Sequence, residues 1–115
     1  MKGSEKQIKW AEDIKAEKAE LFEILRQHVR NEIGTKALDY IQDNEYATFW
    51  IDHRNHTPMI MLKSLLTGRF EVKGASFDRK AQIDPDTGVI TETWTEMVRD
   101  GDRGDVKYVK HSVTL

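Results

Sequence analysis

A chain of 115 residues, 38% apolar and 33% charged, with a net charge of −2, has the length of one domain and a small core under a heavily charged surface. It contains no cysteine, which excludes disulfides, thiolate catalysis and cysteine-ligated zinc, and its near-balanced charge excludes a global positive field that would draw in nucleic acid. The N-terminus has no apolar signal region and no run reaches membrane-spanning length, so a soluble, cytoplasmic protein without a membrane partner is expected.

The first predicted element is a helix. Ser4 and Gln7 form an S-x-x-Q capping box, in which each side chain bonds the other residue's amide. Ile8, Ala11, Ile14, Leu21, Phe22, Leu25, Val29 and Ile33 then recur at spacings of three, four and seven, and Gly34 stands where the helix would stop. The apolar signal thins over residues 15–19, and Lys18 falls on the apolar face. Either the helix bends there or it runs past the edge of the core.

A second helix is predicted over residues 35–43, with Ala37, Leu38 and Ile41 inward and Asn44 ending it. The stretch "EYATFWIDHRN" contains strand-forming residues, but its short, polar-ended context favours a helix. In "NHTPMIMLKSLLTG" the boundaries are explicit: Thr57 caps, Pro58 takes the first helical position and Gly68 terminates. After Gly68 the period changes to two. "RFEVKG" alternates, "RKAQID" and "VITETWTEMV" flank the turn "PDTG" to make a hairpin over residues 79–98, and "DVKYVKHSVTL" follows a second turn, "DGDRGD". The expectation is a single α+β domain over residues 1–115. Residues 1–68 form its helical half, with the helices themselves over about 4–68. Residues 69–115 form its β half, a small antiparallel sheet of three or four strands with one face partly open.

Candidate chemistry is sparse. "DHRNH" supplies Asp52, His53 and His56, but a helix break separates the histidines and no third metal ligand follows at a familiar spacing, so a polar helix terminus is the better account. "DPDTG" resembles the start of a calcium loop, yet positions six and twelve hold Val89 and Thr95 where Gly and Glu are required. Glu71 and Lys73 in "FEVK" match the E-x-K element of metal-dependent nucleases, but a strand follows where that class usually has a helix. "RGD" at residues 103–105 reads as a hydrophilic turn. No phosphate-cradling glycine loop and no nucleophile elbow are present, so a non-enzymatic protein without a cofactor is expected. Trp50 and Trp94 are predicted core residues, Trp94 sharing a face with Ile90 and Val98. Trp10, at the edge of the stripe beside Lys6 and Lys9, is either the outer wall of the core or a contact residue.

The opening "SEKQIKWAEDI", with "ATFWIDHRN" further on, resembles small uncharacterised proteins of phages and integrative elements of Gram-positive bacteria. The resemblance covers the first 68 residues and carries no catalytic residue. It implies an accessory protein of a mobile element that acts by binding nucleic acid or a host defence complex, as anti-CRISPR and anti-restriction inhibitors do. Three functional readings follow. In the leading one, a protein or ribonucleoprotein partner is bound by Lys6, Lys9 and Trp10 on the first helix with Arg99, Arg103 and Lys107 around the last turn. In the second, Arg69, Lys73, Arg79 and Lys80 converge, with Lys6 and Lys9, into a basic patch for nucleic acid. In the third, the length of the first helix points to a homodimeric structural component.

Overall fold

The computed structural model describes residues 1–72, 78–99, 101 and 104–115. The capping box forms as expected: Ser4 Oγ accepts from the Gln7 amide at 3.2 Å, and Gln7 Oε1 accepts from the Ser4 amide at 3.0 Å. Helix α1 (Glu5–His28) then runs for 24 residues and buries Ala11, Ile14, Phe22 and Leu25. Leu21, expected inward, flanks this stripe and is half-exposed.

Lys18 resolves differently from either expectation. It lies inside the stripe and is only 9% exposed. Its ammonium donates to the carbonyls of Arg54 at 2.9 Å and His56 at 2.7 Å, in the bend between the third and fourth helices. Both acceptors are main-chain groups that would otherwise face the apolar stripe without a donor. Burial pushes the lysine pKa down.

The first helix also ends earlier than its stripe suggested. The Val29 amide makes the last bond, to Leu25, and Asn31 caps a new helix, α2 (Glu32–Gln42), by accepting from the Gly34 amide at 2.6 Å. Gly34 is therefore not a stop signal but the third residue of α2. It is glycine because the two helices turn on each other too tightly for a side chain: a Cβ there would lie 1.9 Å from Val29 Cγ1. Helix α3 (Ala47–Asp52) confirms the helical reading of "YATFWI", and α4 (Pro58–Thr67) has Thr57 as its cap and Gly68 in the left-handed region at φ 76°. Among the described residues, no helix is long and apolar enough to cross a membrane.

The strands are β1 (Phe70–Glu71), β2 (Lys80–Ile83), β3 (Ile90–Arg99) and β4 (Val106–Thr114), in the sheet order β1-β2-β3-β4 with every pairing antiparallel. The β2–β3 turn uses "DPDTG" as a turn: Asp84 Oδ1 accepts from the amides of Asp86 and Thr87 at 2.8 and 3.2 Å. Phe70, Ala81, Ile83 and Ile90 share the inner face and pack under the helices with Trp50, which is fully buried. Trp50 meets Phe49 edge-on at 5.2 Å, and its Nε1 donates to the Asn44 carbonyl at 3.1 Å.

The helical layer is shorter than the sheet. Ile90 is buried, but every β3 residue from Glu96 onward is exposed, as are eight of the nine residues of β4. The Thr95 amide is the first on β3 without a β2 partner, and the Asp78 carboxylate takes it at 3.0 Å. Beyond that point, among the described residues, the sheet is a two-stranded ribbon within a molecule of 56 × 39 × 19 Å. The expected core face Ile90–Trp94–Val98 is corrected accordingly: Ile90 is buried, Trp94 is partly covered and Val98 lies outside the core.

Alanine inside a helix normally stabilises relative to glycine by about 0.5–1 kcal/mol. At position 34 the sign should reverse: Gly34→Ala should destabilise by about 1–3 kcal/mol in urea unfolding because the new methyl overlaps Val29. Adding Val29→Ala should recover some of that loss, a coupling that a double-mutant cycle reads directly.

Candidate functional site

The ribbon is anchored by a row of side chains on its inner face. Glu92, on that face of β3, is 8% exposed. Its two oxygens have one partner each: the Tyr40 hydroxyl donates to Oε1 at 2.8 Å, and Arg79 Nε donates to Oε2 at 3.0 Å. A buried carboxylate is tolerated only when paired and hydrogen-bonded in this way. Burial, and then the bond to Glu92, pushes the Tyr40 pKa far above the ordinary phenol value. The Arg79 guanidinium continues the row, 4.1 Å over the Trp94 ring. Trp94 stacks on His111 at 5.3 Å and 18°, and His111 Nε2 meets Glu96 Oε2 at 2.7 Å. A helix, the start of β2 and both ribbon strands are thus tied by one chain of contacts.

Past this row the ribbon is apolar on both faces. Met97 stands opposite Tyr108, and they are 59% and 72% exposed. On the other face Val98 is opposite Lys107, and Glu96 is opposite Val109. Arg99 pairs with Val106, so Arg99 and Lys107 leave the ribbon on opposite faces and flank the apolar residues from both sides. Arg103 lies outside the described residues. The outer sheet face behind the ribbon is polar, with Thr93 between Lys80 and Ser112, and Lys110 opposite Thr95.

The other candidate residues are distributed around the molecule. Lys6, Lys9 and Trp10 are exposed on the first turns of α1, Trp10 at 49%, with the Arg54 guanidinium 5.5 Å over its ring. Trp10 is therefore a surface residue, not a wall of the core. The same turns carry Glu5, Glu12 and Asp13, so the local charge is mixed. Helix α1 packs mainly on α3, and β3 mainly on β4 and β2, so the Trp10 group and the ribbon group stand on different regions of the fold. Of the basic set, Arg69 and Lys80 are exposed, Arg79 is held by Glu92 and Trp94, and Lys73 lies outside the described residues. Arg79 and Lys80, adjacent in sequence, point to opposite faces of the strand.

Two further features border the core. Leu21, Ile24 and His28 of α1 and Pro58 and Met59 of α4 line an apolar groove of about 360 Å³. His53, buried and stacked on Phe70, approaches the Glu71 carbonyl through Nε2 at 3.1 Å and His56 Nδ1 through its own Nδ1 at 2.9 Å. A carbonyl only accepts, so His53 carries its proton on Nε2, and His56 donates to its Nδ1. The polar terminus expected at "DHRNH" thus holds a hydrogen-bonded histidine pair, His53 buried and His56 exposed. Among the described residues, no group of three or more His, Cys, Asp or Glu side chains is placed to hold a metal ion.

The apolar ribbon was not singled out from sequence, although a signal for it exists. Met97 and Val98, and again Tyr108 and Val109, are adjacent apolar residues in strands of period two, so both faces carry apolar groups. Comparison with protein-family models, with curated proteins and with solved structures returns no match to this chain.

The His53 pKa is lowered, first by burial and then by His56, with the Glu71 carbonyl opposing. Between that lowered value and the ordinary 6.5, the unfolded chain binds a proton that the folded chain refuses. Stability is therefore complete above about pH 6.5 and falls as pH drops through this window, by up to about 1.4 kcal/mol per pH unit. His53→Gln keeps a donor for the Glu71 carbonyl and cannot titrate. Urea midpoints between pH 5 and 8 should show a shallower acid-side loss in that variant than in the parent.

Proposed function

We propose that this chain is a non-enzymatic binding module that engages a protein, or the protein component of a ribonucleoprotein, through the β3–β4 ribbon. The observation that carries this reading is the exposure of Met97 and Tyr108, at 59% and 72%, on a ribbon that the helical layer does not cover. Isolated two-stranded ribbons gain little stability of their own, and apolar cross-strand pairs left in water forgo their burial energy. Aromatic residues, methionine and arginine are the types enriched where protein surfaces meet. Met97, Arg99 and Tyr108 supply all three within one turn's reach of each other.

Electrostatics supports the same choice. Phosphate binding needs a concentrated basic face, whereas Arg79 is paired with Glu92 and Lys80 stands opposite Glu71 in the ladder. The resemblance of the opening helix to small proteins of phages and integrative elements supports a mobile-element setting. The corresponding role is that of an inhibitor of a host defence complex, of the anti-CRISPR or anti-restriction kind.

A photo-crosslinking residue at position 108 tests the reading, with one at position 20, on the outer side of α1, as the control. In an extract of the organism that encodes the chain, position 108 alone should yield a discrete protein adduct that resists nuclease. The identified partner should then bind Tyr108→Ala about 10- to 100-fold more weakly than the parent, with little change in thermal unfolding. A nuclease-sensitive adduct, or a partner whose affinity ignores Tyr108, overturns it.

A further inference from the structure

The free edge of β4 carries the inference furthest. Strand β4 is the last in the sheet order, paired with β3 over nine consecutive positions and, among the described residues, with no strand on its other side. The phase of its hydrogen bonds follows from one contact. The Leu115 amide donates to the Ile90 carbonyl at 2.9 Å, which makes this a hydrogen-bonded pair. Counting by two along the register, Lys107, Val109, His111 and Val113 turn their amides and carbonyls toward β3. Val106, Tyr108, Lys110, Ser112 and Thr114 turn theirs to the open edge. The bond from the Thr95 amide to Asp78, on the far side of β3, agrees with this phase.

Long exposed edges are normally blunted by proline, a bulge, shortness or a covering loop. Strand β4 has no proline, no glycine and an uninterrupted register. Charge is the remaining control, and it has one sign. Residues 106–115 contain Lys107 and Lys110 and no aspartate or glutamate. Antiparallel addition of a second copy would place four lysines on the two paired strands with no carboxylate on either. A twofold centred on Lys110 would set that lysine against itself. The edge therefore selects against its own copy and in favour of an acidic strand.

We infer that the open edge of β4 is a docking site for an extended, acidic polypeptide segment of a partner protein, which adds to the sheet as a fifth strand. The inference rests on the ribbon being the contact surface and names what it contacts. Main-chain bonds at the five edge-facing residues hold the segment, as in other cases of strand addition. Carboxylates of the segment meet Lys110 on the outer face. An apolar residue covers the Tyr108 ring beside Met97.

The probe is a labelled, end-capped nonamer of sequence Val-Val-Glu-Glu-Val-Val-Glu-Glu-Val, which places both valine and glutamate on each face of an added strand. Three comparison peptides or proteins accompany it: the nonamer's lysine counterpart, an acidic nonamer N-methylated at alternate residues, and the Ser112→Pro protein. Proline at position 112 removes an edge-facing amide and leaves the β3 ladder intact. The acidic nonamer should bind at least about tenfold more tightly than the lysine one, and N-methylation or Ser112→Pro should abolish binding. Amide exchange should slow at Tyr108, Lys110 and Ser112 and stay unchanged at Val109 and His111. If Ser112→Pro unfolds the strand, the N-methylated peptide still decides. No binding of the acidic nonamer, or binding indifferent to charge and N-methylation, overturns the inference. Protection of the edge amides that rises with protein concentration alone also overturns it, in favour of a second copy. If strand addition fails while Tyr108→Ala still weakens the cross-linked partner, the ribbon reading stands without it. If both fail, both fall.

Discussion

The fold depends on a buried carboxylate. Glu92 stands where the inner face of β3 passes from core to solvent, and its two oxygens are held by Tyr40 of α2 and by Arg79 at the start of β2. Remove either partner, and a charged or polar group is left inside the protein without compensation, which is more damaging than the loss of the bond itself. With both in place, the helical layer has a defined edge. Arg79 then covers Trp94, Trp94 covers His111, and the ribbon leaves the core along a packed row of side chains. The ribbon is thus a directed projection and not a frayed end.

Lys18 applies the same physics within the helical layer. A lysine inside an apolar stripe is expensive unless its ammonium finds acceptors, and here it finds the carbonyls of Arg54 and His56. These belong to the bend that also contains the His53–His56 pair. One cation from α1 thereby fixes the path between α3 and α4, and α4 in turn lies over β1 and β2. The helical layer and the sheet edge are each secured by a polar group that composition alone would have placed in water.

Local signals were legible wherever the chemistry is local. The Ser4–Gln7 box, the Thr57–Pro58 start, the Gly68 stop and the Asp84 turn depend on residues a few positions apart, and all four form as read. Gly34 reads as a stop because two different reasons for glycine, a positive φ and a close approach, look the same in sequence. Only the position of Val29 separates them. Lys18 was legible as an anomaly but not in its meaning, since its acceptors lie 36 and 38 residues away. The fate of Trp94 turned on the length of the helical layer relative to the sheet, a property of the assembled fold that no strand pattern contains. Of the candidate site, Arg99 and Lys107 were named, while the Met97–Tyr108 pair that they flank was not.

Under the proposed binding role, this division of labour separates the contact surface from the stabilising core. The cooperative core ends near Trp94, so side chains beyond it are largely free of any role in holding the fold. Substitutions at Met97 or Tyr108 remove exposed surface outside the core, whereas substitutions at Glu92 or Arg79 reach the core directly. A surface of the first kind can be optimised for a partner with little effect on stability. The row from Tyr40 to Glu96 keeps that surface at a fixed angle, so little conformational freedom remains to be lost on binding. A preformed edge with exposed apolar pairs beside it combines main-chain bonding with side-chain selection, which a flat helical face such as that around Trp10 does not offer.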